Sequence, residues 1–199
     1  MSGCVDKSNV GRIAERIVSN ELEYRGFRVS DLNKEGKAAN ADLIAAKSGR
    51  TWQIQVKGHS YDGWWFHYGF STDEIIKDRK KTMFNRTKDN FYRAQFVVMV
   101  CVKSPNDYQC LVVPADIAEK AAQLNLDANF RSLDKGGVGK PAGLFVSLAE
   151  PFGTKVESKR DLREKERQIL KHYLGNWECL WALPRLSQLK VREISNTNF

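Results

Sequence analysis

No apolar run in this chain approaches the roughly 20 residues that a membrane-spanning helix requires. The first residues, Met1 to Arg12, hold no apolar core of a secretory signal, so a cytoplasmic location is expected. Cysteine is scarce: Cys4, Cys101, Cys110 and Cys179 are scattered and form no CxxC pair. The three histidines, His59, His67 and His172, complete no zinc-ligand spacing with them. Reduced thiols and no structural zinc are therefore expected, with Cys101 a small buried hydrophobe inside an apolar run. Repeats, low-complexity tracts and linkers are also missing, so the 199 residues read as one domain able to bury a proper core. Acid is in deficit, with 24 Asp and Glu against 32 Lys and Arg, a net charge of +8 and a pI near 9.3. That balance favours a polyanionic partner, nucleic acid before an acidic membrane surface.

What is present is organised around Ala41 to Ala45 and Trp52 to Lys57, two short strands with Ser48-Gly49-Arg50 as the turn between them. In the second strand Trp52, Ile54 and Val56 alternate with Gln53, Gln55 and Lys57. A side-chain period of two sends the first set to a core and sets Gln55 beside Lys57 on the other face. Asp42 opens the neighbouring strand. An acid, a carbonyl-bearing amide and a lysine at one end of a hairpin can hold a divalent metal beside a water that attacks a phosphate. The same triplet also occurs on ordinary strands with polar outer faces.

Upstream, Val10, Ile13, Ala14, Ile17, Val18 and Leu22 recur at helical steps, so a helix is expected from Asn9 to about Arg25, capped by Ser8 or Asn9 and stopped at Gly26. Glu15 lies on the shoulder of its apolar stripe. Glu21 is the rival acid, nearer the centre of that stripe. Phe27 to Leu32 reads as a first strand, followed by a polar loop from Asn33 to Asn40.

Ala14-Glu15-Arg16, Leu22, Gly26-Phe27-Arg28-Val29, Asp42-Leu43-Ile44-Ala45 and Ile54-Gln55-Val56-Lys57, in that order, resemble the PD-(D/E)XK nuclease superfamily. Within it the likeness is greatest to archaeal Holliday-junction resolvases, which share the AER opening, the GFxV ending and a D-x12-ExK core. The resemblance spans about residues 10 to 58. It departs at Asn40-Ala41, where the family usually has Pro before the Asp, and at Gln55, where it usually has Glu or Asp. Some members, including the endonuclease subunit of certain transposons, use a QxK variant.

The resemblance implies an α/β, restriction-endonuclease-like fold, a mixed β-sheet flanked by helices whose first helix delivers a glutamate to the hairpin. It implies a Mg²⁺-dependent (or Mn²⁺-dependent) DNA endonuclease in which Glu15 and Asp42 bind the metal with the Gln55 side-chain oxygen and the Val56 carbonyl. Lys57 then orients the attacking water. The family's resolvases are dimers, so a homodimer is a further expectation. Two rivals stay open, an inactive nuclease-fold DNA-binding module and an interaction protein with a basic surface.

Beyond Lys57 the likeness fades. Trp64, Trp65, Phe66, His67 and Tyr68 form a dense aromatic patch, either a core strand or a surface on which unpaired bases stack. Lys77, Arg79, Lys80, Lys81, Arg86, Lys88 and Arg93 face only Asp78 and Asp89 in charge, a basic run expected to contact phosphates. Phe96 to Val102 and Gln109 to Val113 read as a buried hairpin, and Pro114 to Leu124 as a helix. The run from Lys135 to Lys140 fails the phosphate-loop pattern because Pro141 follows Lys140, and reads as a surface loop. A strand is expected from Leu144 to Leu148. A helix is expected from Glu157 to about Trp177, with Arg160–Glu164 and Asp161–Lys165 pairs. The core motif thus occupies 9–58, a sheet extension 94–149 and a helical region 155–185, with the end fraying from about Ser195.

Overall fold

The computed structural model describes residues 9–32, 41–60, 64–71, 94–104, 106–122, 124, 141–146 and 157–181. Helix α1 spans Val10–Tyr24. Ile13 N–H donates to the Asn9 carbonyl at 3.0 Å, while the Asn9 side chain makes no capping bond. At the other end Gly26 takes φ of 79°, so that Gly26 N–H reaches Glu23 O (2.8 Å) and Phe27 N–H reaches Leu22 O (3.0 Å). This paired closure needs the left-handed conformation that glycine adopts without strain.

Strands β1 (Arg28–Asp31), β2 (Leu43–Lys47) and β3 (Arg50–His59) form an antiparallel meander. The β2–β3 turn is two residues long, Ser48 and Gly49, both at positive φ (51° and 75°), and Arg50 already pairs with Lys47. Such a turn matches the twist of the strands it joins. Strand β4 (Trp64–Ser71) leaves this sheet and pairs antiparallel with β7 (Pro141–Val146), a strand that starts three residues before the expected Leu144. Strand β5 (Phe96–Ser104) returns to the main sheet parallel to β3, and β6 (Asp107–Pro114) pairs antiparallel with β5. The result is an α/β fold with a five-stranded mixed sheet in the order β1-β2-β3-β5-β6. Residues 115–122 continue as helix α2, and α3 covers Glu157–Leu170. Among the described residues no helix is long and apolar enough to cross a membrane.

The two sheet faces differ. Ala14, Ile17, Val18 and Leu22 of α1 bury themselves against Leu43, Ala45, Trp52, Ile54, Val56, Phe96, Val98 and Val100. Each such large aliphatic side chain contributes about 1.5–3 kcal/mol on burial. Trp177 and Leu180 close the same core, with Trp181 stacked on Phe27 at 4.5 Å and Phe27 edge-on to Trp52. Lys47 Nζ lies 3.9 Å above the Trp181 ring and donates to Arg25 O, so the amine is held by a carbonyl and a π-face. On the opposite face Val97, Met99, Cys101, Leu111 and Val113 are buried outside that cluster.

The C-terminal helix stops earlier than its apolar spacing suggests. After Leu170 the chain tightens to a 3₁₀ turn, Leu174 bridges to Leu111, and Gly175 N–H donates to Cys110 O at 2.8 Å. Pairing to the free edge of β6 outcompetes continuation of the helix. Among the described ion pairs of α3 is Arg167–Glu164 at 3.2 Å; the side chains of Arg160 and Asp161 lie outside the described residues.

Cys110 and Cys179 are free thiols. Burial, and then the negative charge of Glu21, push the Cys110 thiol up to about 12. Burial does the same to Cys179, also to about 12. In the unfolded chain both ionise near pH 9 while the folded thiols hold their protons, so the stability they contribute is full below pH 9 and is lost as pH rises towards 12. Unfolding free energies from urea titrations should therefore fall between about pH 9 and pH 11, by up to about 1.4 kcal/mol per pH unit for the deeply buried Cys110 and by less for Cys179. Cys110→Ala should flatten that profile; an unchanged slope would remove Cys110 as its cause.

Candidate active site at the fork between the second and third strands

The β2–β3 ladder ends at the Leu43–Ile54 pair, with Asp42 N–H still donating to Ile54 O at 2.9 Å. Two residues further along β3, Val56 N–H is taken by the Asp42 side chain in place of a backbone carbonyl, with Oδ2 accepting at 2.7 Å. Asp42 is thus anchored on the peptide that joins Gln55 to Val56. A charge-assisted bond of this kind fixes the carboxylate in the plane of the sheet and leaves its other oxygen uncommitted by that bond.

Gln55 and Lys57, both half-buried, alternate with the buried Ile54 and Val56, so they occupy the face away from α1, in register with Val97 and Met99. Gln55 Oε1 is fully buried and has no hydrogen-bond partner. Bare buried carbonyl oxygens are rare, because leaving one unpaired costs about 1–3 kcal/mol.

Glu15 projects from the α1 side. It lines a cavity of about 420 Å³ with Arg12, Arg16, Asp31 and Leu43, the residue after Asp42. Leu32 N–H donates to Asp42 O at 3.0 Å, which ties this wall to the fork. The structure therefore brings the Asp42 carboxylate to the Val56 amide and puts Lys57 on the Gln55 face. Glu15 stands on the other face, across the open end of the sheet. Glu21 is engaged elsewhere: Arg25 bonds its carboxylate, and Tyr108 Oη donates to Glu21 Oε1 at 2.8 Å. That hydrogen bond, with burial behind it, raises the Tyr108 hydroxyl above its ordinary range and keeps it a donor.

Among the described residues no three His, Cys, Asp or Glu side chains converge to hold a metal ion. The expected set here has only two carboxylates, its third side chain being an amide. The basic run Lys77, Arg79, Lys80, Lys81, Arg86, Lys88 and Arg93 lies outside the described residues, as does the loop at 135–140. The backbone of the aromatic patch is β4, paired with β7.

Two features escaped the sequence reading. Asp31 shares the cavity with Glu15; alternation from Val29, which packs on the α1 core, would have put it on that face. Gly58 sits where the helix crosses the strand, and a glycine inside a strand pattern is itself a sign of close backbone approach.

The chain matches no protein-family model and no curated protein. Among solved structures it is similar to the bacterial homing endonuclease I-Ssp6803I, at 14% identity over 84% of this chain and 94% of that one, with a TM-score of 0.39. A superposition that loose leaves the geometry of the fork as the ground for any functional reading.

Proposed function

We propose that the fork is the metal site of a Mg²⁺-dependent DNA nuclease of the QxK, restriction-endonuclease-like kind. The observation that carries this reading is the buried, unpartnered Gln55 Oε1, one residue before the Val56 amide on which the Asp42 carboxylate is anchored. A carbonyl oxygen can only accept, so a donor or a cation completes it. Next to an anionic carboxylate, a hard cation with oxygen ligands suits the place.

The residues that would hold it are Asp42 through its second oxygen, Gln55 through Oε1, and Glu15 reaching from α1. The Val56 carbonyl joins them, because in an extended strand it turns to the same side as its own N–H, which faces Asp42. A bound Mg²⁺ or Mn²⁺ supplies an activated water and neutralises charge on the phosphate. Lys57, on the Gln55 face, would orient the attacking water and offset the charge that develops as the phosphodiester is hydrolysed. Net charge of +8 suits DNA as the partner.

The test is a cleavage panel of supercoiled plasmid, linear duplex, single strand and four-way junction, each with Mg²⁺, Mn²⁺ and EDTA. Metal-dependent cutting that EDTA abolishes is expected. DNA bound tightly but left uncut with either metal would make the chain an inactive nuclease-fold binding module. Neither binding nor cutting would point to a protein partner for the basic surface.

A further inference from the structure

Strand β3 continues past Lys57 into Gly58, where the first half of α1 crosses it. A Cβ at Gly58 would stand 2.6 Å from the Val10 carbonyl oxygen and 2.8 Å from the Ala14 Cβ. Neither is the end of a flexible side chain, so any larger residue must lift the helix off the strand. The demand is for space and not for backbone conformation, since among the described residues the glycines at positive φ are Gly26, Gly49 and Gly175. Ala14 is fully buried at this joint, and its chain neighbour is Glu15. Because α1 is a continuous helix from Val10 to Tyr24, the depth at which Ala14 seats also sets where the Glu15 carboxylate starts. On the strand side the same joint is one residue from Lys57 and two from Val56.

From this we infer that Gly58 is a positioning residue of the candidate site. Its backbone contact with Val10 and Ala14 sets the height of α1 on the sheet, and with it the height from which Glu15, across the open end of the sheet, would reach the metal position proposed at Asp42 and Gln55. The inference rests on the nuclease reading above and adds to it what aligns the helix with the fork. It differs from a plain packing role in one respect: enlarging Gly58 acts on the metal through Glu15, and so has nothing further to remove once Glu15 is gone.

The experiment is a double-mutant cycle of Gly58→Ala and Glu15→Gln on the full chain bound to a short DNA duplex. Free Mn²⁺ is read from its paramagnetic resonance signal, which is independent of cleavage. Each single variant should weaken Mn²⁺ binding roughly 10-fold. The double variant should be no weaker than either, since the two changes act through one group. Effects that multiply would overturn the inference, as would a lowered melting temperature with Mn²⁺ affinity unchanged. If Gly58→Ala fails to fold, Ala14→Ser enlarges the helix side of the same joint and enters the same cycle. Wild-type protein that binds Mn²⁺ while the cycle multiplies removes the positioning role alone. Wild-type protein that binds none removes the metal site and this role together.

Discussion

Asp42→Asn is expected to abolish the proposed cleavage and leave the protein as stable as wild type, whereas Asp42→Ala should lose both. Asp42 has two duties that a single truncation would confound. Its Oδ2 satisfies the N–H of Val56, a residue only 5% exposed, and in the proposed site its charge would serve the metal. Asparagine keeps a carbonyl oxygen of the same reach, so the Val56 bond survives while the charge is removed. Alanine leaves that N–H unpaired at a cost of about 2 kcal/mol. For a chain of this size that corresponds to a melting temperature lower by roughly 4–8 °C. Loss of the charge in Asp42→Asn should lower the cleavage rate at least about 100-fold, the scale seen when one preorganised electrostatic contact is removed. Melting curves and single-turnover cleavage of the two variants separate the duties. Wild-type cleavage by Asp42→Asn would take Asp42 out of the metal site.

This division of labour bears on how much of the molecule its sequence discloses. The alternation of Trp52, Ile54 and Val56 and the helical steps from Val10 to Leu22 are local patterns, and the elements they imply form with their buried faces as read. The hairpin register ends at Leu43 and Ile54, so spacing alone puts Asp42 and Gln55 at the same end of the hairpin. The side-chain bond to Val56 was not legible, because it depends on where β2 stops pairing. Nor was the parallel docking of β5 on β3, which joins residues some forty positions apart without any local signal. The C-terminal helix fails for a related reason. Tyr173, Leu174 and Trp177 keep helical spacing, yet Leu174 meets Leu111 across a sheet edge that no local pattern announces. Tertiary pairing overrides periodicity where an open strand edge is near.

Gln55→Glu is expected to tighten metal binding and to destabilise the metal-free protein. Gln55 Oε1 is already buried without a partner, and the residue lies in register with the fully buried Val97. A carboxylate of the same shape placed there without metal is desolvated, so its pKa rises and it favours the protonated form. Glutamate titrates near pH 4.3 when unfolded. The metal-free variant therefore loses stability relative to wild type as pH climbs through and above that value. Adding Mn²⁺ reverses the sign. The proposed site would then hold three carboxylates instead of two, and the extra charge should tighten binding roughly 10-fold or more, after allowance for partial exposure. Cleavage should gain less than binding does, because the new carboxylate shares a face with Lys57 two residues away and draws the amine from its water. Mn²⁺ titrations of wild type and Gln55→Glu, with melting curves at about pH 5 and pH 8 in EDTA, give both halves of the result. An unchanged Mn²⁺ affinity together with unchanged metal-free stability would mean that Oε1 does not face the metal position, and the fork would lose the ligand on which its assignment rests.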